Sequence, residues 1–438
     1  MGKLKTIEID GRTGEGGGQL VRAAVALAAV TSQPVKITHV RGNRPSRSGG
    51  KVGGSGEKTL PQKGIPKSLS LRLLSGLKAQ HVTAIRWLAE ATEADVEGLE
   101  VGSSTLVFTP RIPPASALDG KSRWIKIAAD TGAASTLLIL QAILPFLLYA
   151  ADGEDEPTPV ELEITGGTNV GMSLSYEYLD QVLLPRLQDV FGITIERHLK
   201  KRGWSLGPQS RGSICLTIHP LKRGQKLQPL VPSPEHDFEV RHVDVSMIVP
   251  SHMLSDLQNA LTKDITAHVP TAEVDFKIVE DSGHDARIYV LLVARSATGL
   301  RWGRDILMST PKKGKQKESV AALVSRRVVR DLAKELSVKG SVCDEFLQDQ
   351  LVIFQALAEG RTSFPRSPVA EGADVETLQQ NVAELGLEER MRRDRSDKPF
   401  GQGSMHSQTA RWVASEILPG LKWYNQGEIC EGVGTNFI

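Results

Sequence analysis

Three stretches of the chain repeat one pattern: a glycine-containing turn, then apolar residues at helical spacing. The first is GEGGGQLVRAAVALAAV from Gly14, followed by the strand-like PVKITHVR. The second is DTGAASTLLILQAILPF from Asp130, followed by VELEITGGT, and the third is GQGSMHSQTARWVASEIL from Gly401. Leu20, Ala24 and Leu27 illustrate the spacing that puts apolar side chains on one helix face. Strands alternating with such helices predict an α/β or α+β fold built on a repeated unit, with helices covering one face of each sheet. Between about 229 and 340 the texture changes. VSMIVPSH, EVDFKIVED and ARIYVLLVAR read as strands, and SVAALVSRRVVRDLAKEL as an amphipathic helix, so a small separate domain is expected there.

The most apolar run, Leu137 to Ala150, is too short to span a bilayer and contains Gln141 and Pro145. It predicts a buried core helix and no membrane partner. With 438 residues, 40% hydrophobic and 24% charged, the chain has the composition of a soluble globular protein of two or three structural units. A net charge of +2 leaves any basic surface local. Cys215, Cys343 and Cys430 form no CxxC pair, which suits a reducing compartment and argues against structural zinc. No apolar signal stretch opens the N-terminus, so an intracellular protein is expected. Two stretches read as surface insertions: the Gly-, Lys- and Pro-rich residues 46–68, and the segment from about 365 to 398.

Candidate chemistry gathers around the turns. GEGGGQ after the strand-like TIEIDG could cradle a phosphate at a helix start, although neither GK[ST] nor a correctly spaced GxGxxG is present. Read alone, it is better explained as a tight turn that needs glycine. Glu15 inside it would repel phosphate unless a cation lay between them, which points to a metal bridge. Arg22 lies in the first helix, and Arg41 and Arg44, at spacing i, i+3 beside a strand end, could converge on one anion through guanidinium forks; alone, the three read as scattered surface arginines. Arg47, Lys51, Lys58, Lys63 and Lys67 against the single acid Glu57 add a local basic bias that suits a nucleic-acid backbone. His406 stands at a helix start, where the dipole is expected to lower its pKa and favour the neutral, nucleophilic ring. No triad order or zinc-ligand spacing accompanies it.

In the stretches DGRTGEGGGQLVR, VRGNR, SGLKAQH, ILQAILP with GGTN, FLQDQLVIFQALAEG, MHSQTA and CEGVGTN, taken in order, the chain resembles the RNA 3′-terminal phosphate cyclases. The resemblance implies three βαβαββ-type units in a large domain, 1–228 and 341–438, with a smaller inserted α/β domain at 229–340. It also implies an enzyme that uses ATP and Mg²⁺ (or Mn²⁺) to convert an RNA 3′-phosphate into a 2′,3′-cyclic phosphodiester. By resemblance, His406 is the adenylylated nucleophile and Glu15 the metal ligand. Gln19, Arg22, Arg41, Arg44 and Gln80 grip the RNA terminal phosphate and the ATP phosphates. Gln141, Phe346 and Asp349 form the adenosine pocket, with Phe346 stacking on the base. This sequence has Leu174 where the family places a proline, and phenylalanine rather than the commoner tyrosine at 346.

Two other readings remain open at this level: an inactive cyclase-like factor of ribosome assembly, and a carboxyvinyl transferase of related architecture. PKKGKQK (311–317) has the composition of a nuclear import signal and equally of a solvated lysine-rich loop. A nuclear protein is expected, with the cytoplasm as the alternative. Oligomeric state is not legible.

Overall fold

Parallel strands need a long crossover, and in two sheets a buried helix supplies it. The computed structural model describes residues 4–43, 75–154, 156–230, 237–310, 318–366 and 398–437. Arg44, nearly all of the 46–68 and 365–398 stretches, and the lysine-rich 311–317 lie outside the described residues.

In the first sheet Ile7–Asp10 pairs in parallel with Val35–Thr38, joined by the helix Gly18–Thr31. Leu106–Thr109 then pairs antiparallel with Val35–Thr38, and Asp95–Glu97 closes the edge. The second sheet repeats this order. Trp124–Ala128 lies parallel to Val160–Gly166 through the helix Thr136–Leu147, followed by Gly212–Ile218 and then Ile195–Lys201. Glu359–Ser363, Ile429–Val433 and Lys422–Tyr424 form a third sheet, antiparallel throughout. Among the described residues it has no counterpart of the first parallel strand. The helices Glu345–Leu357 and Met405–Ile417 accompany it. The architecture is α+β.

A fourth sheet occupies the stretch of altered texture. Val240–Val249 pairs in parallel with Glu273–Asp281 and antiparallel with Ile288–Ser296, and Arg301–Met308 is outermost. Helix Val320–Leu336 buries Ala321, Val324, Val328 and Leu332, the apolar stripe its sequence carries.

The Gly18–Thr31 helix is buried from Gln19 to Val30 because its small residues let other helices approach on several sides. Thr136–Leu147 and Met405–Ile417 both pack on it. Ser135 starts the Thr136–Leu147 helix by accepting from the Leu137 and Leu138 N–H groups. Among the described residues no helix is long and apolar enough to cross a membrane.

Asp344 ties the fourth sheet to the rest. Its Oδ1 accepts from Phe346 N at 2.9 Å, Leu347 N at 3.0 Å and the Tyr178 hydroxyl at 2.7 Å. Its Oδ2 accepts from Gly303 N at 2.8 Å. Asp344→Ala removes a helix cap and strands two further buried donors, so it should destabilise the fold by about 3 kcal/mol. Urea unfolding checks this; a loss under about 1 kcal/mol would show that the cap and the junction matter little.

Candidate active site

The first glycine turn folds against the last long helix. Gly14 takes φ +67°, and a β-carbon there would lie 2.4 Å from Thr409 Oγ1 and 2.6 Å from Pro399, so only glycine allows the contact. The Glu15 N–H donates to Thr409 Oγ1 at 3.3 Å, 394 positions further along the chain. Within this contact the Glu15 carboxylate meets His406, with Nε2 to Oε2 at 3.2 Å. The His406 side chain is 44% exposed, so a ligand can reach it.

Asp349 holds the histidine turn from below. Ser404 caps the helix by accepting from Ser407 N at 3.0 Å. The hydroxyls of Ser404 and Ser407 both donate to Asp349 Oδ1, the latter at 2.6 Å. Asp349 Oδ2 lies 3.9 Å from His406 Nδ1, beyond a hydrogen bond. Burial pushes the Asp349 carboxyl upward, while the two serines and His406 pull it back.

One expectation from the sequence is corrected here. A helix start alone would lower the His406 pKa, but the structure raises it, chiefly because the ring pairs with the Glu15 carboxylate at 3.2 Å. Burial and the Arg22 charge oppose the shift and lose to it. The resting ring is therefore held toward imidazolium by an acid that is distant in sequence.

Beside this pair lies an amide–guanidinium network, buried at Gln19 and Arg22 and half-buried at Gln141 and Gln350. Arg22 donates from Nε to Gln141 Oε1 at 2.5 Å and from Nη2 to Gln19 Oε1 at 2.8 Å. Gln141 donates to Gln19 at 3.2 Å and to Gln350 at 2.7 Å. Gln19, Arg22 and Gln141 are thus one cluster, and Gln350 is a member that sequence reasoning missed. Arg41, half-buried at φ +56°, follows the strand Val35–Thr38, and its charge lowers the pKa values of Lys78 and His81. Gln80 is half-buried at the second position of helix Ala79–Thr92.

Phe346 sits in the first turn of the Asp344-capped helix, 36% exposed. Its ring meets Tyr178 edge-on at 6.3 Å, and the Arg304 guanidinium lies 4.5 Å from the ring centre. A cavity of about 420 Å³ is bordered by Arg304, Asp305, Glu345, Phe346, Gly403 and Ser404. The aromatic ring and the cap of the His406 helix therefore face one space. A second cavity of about 210 Å³ is lined by Met172, Ser173 and Ser175 beside Leu174, and Asp305 borders both. Arg304 and Asp305 come from the fourth sheet, which no local pattern ties to Phe346. Among the described residues no cluster of three His, Cys, Asp or Glu could hold a metal ion. Glu15 is the carboxylate nearest the histidine.

The profile of the RNA 3′-terminal phosphate cyclases matches residues 13–419. The chain belongs to this family. It is 33% identical to the RNA 3′-terminal phosphate cyclase of Methanosarcina mazei over 373 residues, 82% of this chain and 89% of the relative. The cyclases of Pyrococcus furiosus and Methanopyrus kandleri are each 30% identical, covering 81% and 82% of the chain and 87% and 88% of the relatives. Membership in the cyclase family displaces the carboxyvinyl transferase reading. The glycine turn and His406 both fall within the matched residues.

The raised pKa of His406 has a testable sign. The charged pair stabilises the fold below the ordinary histidine value of 6.5, and this contribution is lost as pH rises through the raised folded value. In an NMR titration without nucleotide or metal, His406 should titrate above 6.5, and Glu15→Gln should bring it down. A wild-type midpoint at or below 6.5 contradicts the pairing.

Proposed function

We propose that the protein converts an RNA 3′-phosphate into a 2′,3′-cyclic phosphodiester, consuming ATP and releasing AMP and pyrophosphate. The observation that carries this reading is the partly exposed His406 side chain, whose Nε2 lies 3.2 Å from the Glu15 carboxylate of the first glycine turn. Chemistry explains the need for ATP. A phosphate monoester has no competent leaving group, so the neighbouring 2′-OH cannot close the ring on it.

In the first step neutral Nε2 attacks the ATP α-phosphorus, a P–N bond forms, and pyrophosphate leaves. The imidazole proton must depart beforehand, and Glu15 is the base placed to take it and pass it to solvent, which leaves its carboxylate ionised. In the second step an oxygen of the RNA 3′-phosphate attacks the same phosphorus and His406 is released. The 2′-OH then attacks the RNA phosphorus, its proton is lost, and AMP leaves. Positioning and charge neutralisation supply the rest of the acceleration.

Each residue has a task in this sequence. Arg22 and Arg41 hold phosphate oxygens, joined by Gln80 and, through the family resemblance, by Arg44. Gln19, Gln141 and Gln350 fix the direction of the Arg22 fork. Phe346 offers its ring to the base beside the cavity it borders. Asp349 fixes the histidine turn through Ser404 and Ser407, so it supports the nucleophile as well as the adenosine pocket. A single hard carboxylate suits Mg²⁺ or Mn²⁺ bound mainly by phosphate oxygens, and Glu15 would be its protein ligand. Such a cation would neutralise charge at the reacting phosphates.

Incubated with ATP and Mg²⁺, an oligoribonucleotide ending in 3′-phosphate should become resistant to phosphatase and lose one water in mass. His406→Ala should leave the ends fully sensitive. Wild-type protein that leaves them sensitive contradicts the proposal and favours the ribosome-assembly reading.

A further inference from the structure

Next to the start of the Gly18–Thr31 helix lies a buried donor that the steps above leave unused. His81, the third residue of helix Ala79–Thr92, is 3% exposed. The Lys78 N–H donates to its Nδ1 at 3.1 Å, so Nδ1 carries the lone pair and the ring proton sits on Nε2. That Nε2 is buried and finds no hydrogen-bond partner among the described residues. A dry, unpaired N–H is uncommon in a native fold and calls for an explanation.

The direction in which it faces supplies one. A β-carbon on Gly18 would lie 2.6 Å from His81 Nε2 and 2.7 Å from Arg22 Nη1. Both donors therefore converge on the same side of the helix's first residue. The cap, Gly17, provides no side-chain acceptor for the first-turn N–H groups. The charged groups that bear on His81 are all cations: Arg22, Arg41 and Lys78. Together with burial they hold the ring neutral, well below its ordinary pKa. Lys78 is itself pushed down to about 8 by burial and Arg41. A helix start, three cations and a fixed neutral donor in one place form a receptor for an anion with several oxygens.

We infer that His81 binds a phosphoryl oxygen through Nε2–H, sharing with Arg22 a phosphate held against the first turn of the Gly18–Thr31 helix. The inference rests on the cyclase reading, which supplies two sources for that phosphate: the ATP triphosphate and the RNA 3′-end. His81 adds a directed donor without adding charge, so it orients one oxygen rather than deepening the potential. Gly18 keeps the approach open.

The test uses full-length protein labelled with ¹⁵N-histidine. The His81 Nε2–H signal should shift and saturate with a non-hydrolysable ATP analogue, or with a 3′-phosphorylated oligoribonucleotide but not its 3′-hydroxyl form. The arm that moves the signal names the source. His81→Asn keeps an acceptor for the Lys78 N–H but cannot reach the anion; it should weaken that probe about tenfold or more by calorimetry. His81→Gln, whose amide can reach the Nε2 position, should restore most of the loss. Gly18→Ala, which crowds both donors, should reproduce it. A signal that neither probe moves, or His81→Asn protein that binds both probes as wild type does, overturns the inference even where cyclisation proceeds. Losses equal in His81→Asn and His81→Gln, with matching falls in melting temperature, make His81 a structural cap and also overturn it. A saturable shift without cyclic ends leaves the phosphoryl site standing and removes the cyclase reading instead.

Discussion

The contact between His406 and Glu15 is the constraint on which the rest depends. It exists because the Ala-rich Gly18–Thr31 helix accepts the Met405–Ile417 helix alongside it. Gly14, lacking a β-carbon, then lets the first turn close on Thr409 and Pro399. A larger residue on that helix face, or at Gly14, would separate two groups that the sequence keeps nearly a chain length apart. The core thus has a chemical purpose: it delivers an imidazole to a carboxylate.

The polar groups packed between the helices follow the same logic. Gln19, Arg22, Gln141 and Gln350 join helices from three parts of the chain. Burying a guanidinium is costly unless its donors are used, and two glutamines use them while leaving its direction fixed. Asp344 does similar work at the junction with the fourth sheet, where Arg304 covers Phe346 and Gly303 donates to the cap. The fourth sheet is therefore part of the wall of the Phe346 cavity, through Arg304 and Asp305.

Much of the fold was legible because periodicity is a local signal. The strand before Gly11, the buried helix Thr136–Leu147, the amphipathic helix ending at Leu336 and the helix beginning at Met405 follow from spacing and from turn residues. The sign of the His406 shift was not legible. A sequence shows the helix dipole, whereas Glu15 reaches the ring only through tertiary packing. Arg304 was hidden for the same reason, since it lies on a strand of another sheet. Ser404 was present within the GQGSMHS motif, and a cap position two residues before the histidine could have marked it. The resemblance places Asp349 in the adenosine pocket, and the fold adds that its Oδ1 accepts from the two serines of the histidine turn.

The central claim is that the imidazole carries the nucleotide, and one measurement addresses it directly. Wild-type protein is incubated with α-labelled ATP and Mg²⁺ without RNA, then denatured, digested and mapped by mass spectrometry. An acid-labile, alkali-stable AMP on the peptide containing His406, absent from His406→Ala, is the predicted result. AMP on a lysine, or no covalent AMP from protein that still makes cyclic ends, would contradict it.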